Sequence, residues 1–304
     1  MRISTQSVYD RGTANMGSLS AIADRLQTQI ATGKKFAGPS DDAAAWRRLT
    51  GIKRAVAIEM ADIANVRLAS ALLSSSDTAL DAIGTQLQRA RELAVQASTG
   101  TLTDAQKQSI ATSLDAIVED VFKLANTRDL RGQPLFGGAT GDVAYTRASD
   151  GTISYAGTGE PASIPIGDGA EIHATTAGDR IFGGVSTPGG PSDAFAILEG
   201  LAAAIRTGGT ASTAASSQAI DTLNTAIEQV VGVQSSVGAR AARLEIESER
   251  LAEIAVDREE ARSGIEDTDI SASITQLQKT LTILQATQAS FTKLTSLSLF
   301  SYLR

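Results

Sequence analysis

The sequence predicts a mainly α-helical chain with a β-rich insert: long antiparallel helical bundle and coiled-coil arms from both chain ends, with a small central β domain. Three observations predict it. Apolar residues recur at alternating steps of three and four over long proline-free stretches at both ends. Most of the glycines and prolines lie between residues 132 and 210, among short β-prone runs. The 304 residues are 42% hydrophobic but only 4% aromatic, a composition that suits long helices better than one compact globule.

The first stripe, Met16, Leu19, Ala23, Leu26 and Ile30, reads as a helix that stops at Gly33, a residue able to take the left-handed cap conformation. Lys34 and Lys35 follow, suited to the negative end of the helix dipole. Pro39-Ser40-Asp41-Asp42 signals a new start, with Ser40 or Asp41 as the capping residue. From there Leu49, Ile52, Val56, Ile63, Val66, Leu73, Leu80 and Leu87 keep one heptad phase. Leu68, Leu72, Ala79, Ile83, Ala90 and Leu93 form a second face, so this helix needs partners on two sides as far as Ser98. Leu102-Thr103-Asp104 opens a further helix carrying Ile110, Leu114, Ile117, Val121 and Leu124, and the two form an antiparallel hairpin.

In the insert, Thr152–Tyr155 and Ser163–Ile166 are β-prone, with turns at Asp150-Gly151 and Asp168-Gly169. The stretches 183–190 and 207–210 read as flexible. Helical phase returns at Ile220, Leu223, Ile227, Val230, Val237, Leu244 and Leu251, where Arg243 with Glu247, and Glu247 with Arg250, sit at helical neighbour spacing and mark a solvated face. A last helix places Ile270, Ile274, Leu277, Leu281, Leu284 and Phe291 on one stripe, and an apolar cluster follows in Ser298-Leu299-Phe300-Ser301-Tyr302-Leu303-Arg304. The expected divisions are an N-terminal arm (1–40), a helical core (41–131), the β-rich domain (132–210), the returning core (211–264) and a C-terminal arm (265–304).

Several function classes find no support in these residues. The net charge is −7, with no basic block to track a phosphate backbone, so nucleic acid is not an expected partner. No run approaches the ~20 apolar residues of a membrane span, and the start lacks the apolar core of a cleaved signal peptide. Cysteine is absent, which removes disulfides and thiolate metal sites. His173 is the only histidine, read as a surface or half-buried residue. Asp41 and Asp42 are adjacent, which turns them to different sides of a helix and favours capping over acid–base chemistry. Gly157-Thr158-Gly159 lacks the rest of a dinucleotide loop, and the aspartates of the insert lack calcium-loop spacing. No catalytic, cofactor or metal site is therefore expected. Trp46, the sole tryptophan, is either a core contact or an interface anchor.

Four stretches resemble the flagellin superfamily, whose members pair N- and C-terminal coiled-coil arms around a variable middle. They are Met1-Arg2-Ile3-Ser4-Thr5; Gln29-Ile30-Ala31-Thr32-Gly33-Lys34-Lys35 through Pro39-Ser40-Asp41-Asp42; Leu124-Ala125-Asn126-Thr127 to Leu135-Phe136-Gly137-Gly138; and Ser298-Leu299-Phe300. The chain ends are most similar to the members that join hook to filament, whereas Ala43-Ala44-Ala45 after the two aspartates is as in filament flagellins. The resemblance implies a structural subunit exported unfolded through the flagellar type III apparatus, with a chaperone on its C-terminal helix. It also implies a ring of copies at the hook-filament junction, outside the cell, between a hook-associated protein and flagellin. A filament flagellin is the alternative, and a secreted adhesin or coiled-coil binding module is the alternative of another class. Subunit contacts are expected at Met16, Leu19, Leu26, Ile30, Trp46, Ile274, Leu277, Leu281, Leu284, Phe291, Leu299 and Phe300.

Overall fold

In the computed structural model, which describes residues 2–296, the chain begins with α1 (Arg2–Thr32), α2 (Ala43–Ser98) and α3 (Asp104–Ala125). The strands β1 (Tyr145–Arg147), β2 (Ile153–Tyr155), β3 (Ser163–Gly167) and β4 (Ala170–His173) follow. After the short α4 (Asp179–Phe182) come β5 (Val185–Thr187), β6 (Gly190–Ser192), α5 (Ala194–Thr207), α6 (Gly209–Glu266) and α7 (Ile270–Ser296). Long helices at both ends thus bracket a central set of short antiparallel hairpins, as the patterning predicts. The chain forms two compact units: Met1–Ile58 with Glu253–Arg304, and Glu59–Ala252. Both α2 and α6 contribute to each.

In the unit formed by Glu59–Ala252, the two apolar faces of α2 are both covered. Val66, Leu73, Leu80 and Leu87 are buried on one, Leu72, Ala79, Ile83 and Ala90 on the other. Their partners in the same core are Ile110, Leu114, Ile117 and Val121 of α3, and Leu223, Val230, Val237, Leu244 and Leu251 of α6. Each is a position the heptad phase picked out. α3 starts on a reciprocal cap, in which Thr103 and Gln106 exchange side-chain-to-backbone hydrogen bonds. At its far end the Asn126 side chain accepts from the N–H groups of Ala144 and Tyr145 and donates to the Tyr145 carbonyl, which pins β1 to the helix.

The hairpins β1–β2 and β3–β4 reverse where Asp150-Gly151 and Asp168-Gly169 predict. Two local expectations are corrected. The glycine-rich stretch 183–190, expected to be flexible, enters the β5–β6 hairpin, where the Thr187 hydroxyl accepts from Gly189 N–H and donates to the Gly190 carbonyl. Residues 207–210, also expected to be flexible, form a tight break in which Gly208 and Gly209 take positive φ and α6 begins at once. Arg250 pairs with Glu247 at 2.6 Å, as their spacing predicts, and also reaches Asp168 on the β3–β4 turn at 2.7 Å. The insert also holds α5, absent from the sequence reading, whose Phe195, Leu198, Leu201 and Ile205 are buried beside Tyr145 and Phe182.

Candidate assembly surface

Within the unit formed by the chain ends, α1 and α7 pack side by side and antiparallel. The end of α1 meets the start of α7 where Thr268 N–H donates to the Gly33 carbonyl at 2.9 Å. At the other end the rings of Tyr9 and Phe291 meet edge to face, 5.3 Å between centroids. Phe291 also lies over Gly12, where a Cβ would come within 2.8 Å of the ring.

Burial on α1 follows the predicted stripe: Ala23 and Leu26 are buried, Tyr9, Met16, Leu19 and Ile30 half-buried. On α7 the seam is rotated from the expected stripe. Its more covered positions are Ser273, Leu277, Thr280, Leu284, Thr287 and Phe291, at steps of four and three. Hydroxyl residues can occupy a seam because Thr280 and Thr287 donate to carbonyls of their own helix, at Gln276 and Ile283, both 2.8 Å. Ser273 meets Thr268 at 3.2 Å. The rotation leaves Ile274 and Leu281 turned outward, 41% and 36% exposed, with Ile270 beside them. Leu277, Leu284 and Phe291 stay in the seam. On α1, Ile22 is also exposed, Trp46 on α2 is half-buried, and Leu299 and Phe300 lie outside the described residues.

The links at the base of this pair escaped the sequence reading. Gly33 ends α1 with φ +70° and its N–H on the Gln29 carbonyl, as expected. The cap of α2 is Asp42, not Ser40 or Asp41: its carboxylate accepts from Ala44 and Ala45 N–H at 2.9 Å each. Asp41 instead accepts from Ala37 and Gly38 N–H and so holds the loop. Lys34 does not serve the helix dipole alone. It reaches Glu266 at 2.8 Å, and the same carboxylate takes Lys53 of α2 at 3.0 Å and Arg262 of α6 at 2.6 Å. Lys35 N–H donates to the Glu266 carbonyl at 2.7 Å, and the Lys35 ammonium to the Gly264 carbonyl at 3.0 Å. Glu266 is only 3% exposed. The Lys34 ammonium, with Lys53 and Arg262, overrides the opposing effect of burial and holds the carboxyl at about 2. Only the proximity of Lys34 to Gly33 was visible in sequence.

Chemically this surface offers apolar contact and ion pairing. His173 is exposed on β4 with Nδ1 2.9 Å from the Pro161 carbonyl. Among the described residues no cluster of three His, Cys, Asp or Glu could hold a metal ion, and no helix is long and apolar enough to cross a membrane.

Residues 3–140 match the family model of the bacterial flagellin N-terminal helical region, and residues 220–303 that of the flagellin C-terminal helical region. Flagellar hook-associated protein 3 of Escherichia coli (strain K12) is 27% identical over 315 residues, covering 99% of each chain. The protein of that name from Salmonella typhimurium is 26% identical over 316 residues, with the same coverage. The crystal structure of Xanthomonas campestris FlgL shares the fold with a TM-score of 0.64 at 16% identity, over 70% of this chain and 99% of that one. Both matched regions contain the paired helices and the core stripes they carry, and the chain belongs to the bacterial flagellin family.

Proposed function

We propose that the chain is the structural subunit of the flagellum that joins the hook-associated proteins to the filament. The observation that carries this is the end-to-end match to hook-associated protein 3, together with arms that pair along one face and keep an apolar row on another. Its relatives are structural proteins, and its work is mechanical: it transmits load between neighbours and needs no reaction. Ile22, Ile274 and Leu281 are the outward positions offered to neighbouring subunits. Met16, Leu19, Leu26, Ile30, Leu277, Leu284 and Phe291 hold the pair that presents them. Trp46 extends the contact. The subunit lies outside the cell in a ring of copies, reached by export of the unfolded chain with a chaperone on the C-terminal helix.

Fluorescent labelling on cells tests this: a band at the filament base is the expected result, and label along the filament would overturn it. The flagellin family models and Ala43-Ala44-Ala45 keep filament flagellin as the second reading. Under that reading purified chain would grow long filaments when seeded in precipitating salt.

A further inference from the structure

The α1–α7 seam does little to choose its own register. Along α7 the seam repeats like residues one heptad apart: Ser273, Thr280 and Thr287 in one row, Leu277 and Leu284 in the other. The hydroxyls of Thr280 and Thr287 are satisfied within their own helix, so they require no fixed partner on α1. Polar groups that bond across a seam are what normally pin a coiled-coil register. At the far end, positions are distinguished by the seating of Phe291 over Gly12 and its edge contact with Tyr9.

The polar links are gathered instead at the base. Two backbone hydrogen bonds cross there, Lys35 N–H to Glu266 and Thr268 N–H to Gly33. Between them Glu266 joins the loop after α1 through Lys34, α2 through Lys53 and its own helix through Arg262. The other charges in this cluster are Glu259, paired with Arg262 at 2.5 Å, and Asp267, 3.9 Å from Arg262. Glu266 is the one buried member, and removing its charge takes from Lys34 and Lys53 the carboxylate they share, while Arg262 keeps Glu259.

We propose that Glu266 is the positioning residue that fixes the register of the terminal arms in the lone subunit, so that the outward row of α7 is preset before neighbours are met. The value of that row for assembly rests on the junction reading above; the register itself does not.

The test uses the full chain with spin labels at exposed Asp24 and Gln276, introduced as D24C and Q276C in a protein without other cysteines. A single interlabel distance is expected for the parent at pH 7. E266Q should add populations displaced by about 10 Å, one heptad of rise. It should also lower the protection of the Lys35 and Thr268 amides about tenfold or more while amides of α3 stay protected. K53M, which leaves two cations on Glu266, should show a smaller change, and E266D should restore the single distance. The parent should pass to the E266Q pattern as pH falls from about 4.3, the ordinary value of a glutamate, toward 2, whereas E266Q should show no such step. A single unshifted distance in E266Q, or an acid step of equal size in both chains, would overturn the inference. Slipped register with attachment to hooks intact would overturn the junction role assigned to the arms while leaving the register assignment in place.

Discussion

Asp41 and Asp42 stand next to each other with different partners, and each can be tested alone. Asp42→Ala removes the cap of α2 and should cost about 1 kcal/mol in a thermal melt. Asp42→Asn should recover most of it; equal losses in both variants would rule out the capping role. A third aspartate shows the opposite electrostatics to Glu266. Asp193 caps α5 through Phe195 N–H at 2.7 Å, yet burial lifts its carboxyl to about 6, against its hydrogen bonds to Phe195 and Ala196. A raised carboxyl favours the folded state while protonated, so its contribution falls as pH rises from about 4 through 6. Asp193→Asn keeps a capping oxygen and removes the buried charge, so it should raise the melting temperature at pH 7 and leave it unchanged at pH 4. A gain of the same size at both values would assign the effect to something other than ionisation.

At the scale of elements, periodicity was legible wherever a helix buries a stripe of aliphatic residues. Leu80, Leu87, Leu114 and Leu223 all sit where spacing alone puts them, each without solvent exposure. Leu114→Ala should cost about 2–5 kcal/mol, read by chemical denaturation, since the side chain is fully buried in the common core on a helix packed against α5. The outward row of α7 was partly misplaced for a physical reason: a stripe drawn from apolar residues omits threonines whose hydroxyls are satisfied at home. Helix α5 was hidden by its setting, because glycines and prolines on both sides gave the whole stretch the look of turns. The ionic base of the arms was illegible, since Lys34, Lys53 and Glu266 lie far apart in sequence and no short motif links them. Asn126 lies in one of the flagellin-like stretches, but nothing local in the sequence marks its bonds to β1. Asn126→Ala strands two amides and one carbonyl and should loosen β1, seen as faster amide exchange at Ala144 and Tyr145 with α3 itself unaffected.

For the whole molecule, the core of Glu59–Ala252 contains members of α2, α3, α5, α6 and every hairpin. The expected arms, 1–40 and 265–304, lie outside it. Their deletion should leave a folded fragment with a cooperative melt, while loss of the transition would show that the arms support the core. The same fragment should fail to restore filament attachment in cells lacking the parent gene product.

Tyr9 and Phe291 touch although almost the entire chain runs between them. Closing so long a loop is slow relative to local helix growth, and the partner of α1 is made last. A chain synthesised from its N-terminus therefore cannot complete this pair until α7 has been made. The seam is in this sense a clock that reads the arrival of α7: a chain interrupted before it would leave α1 single.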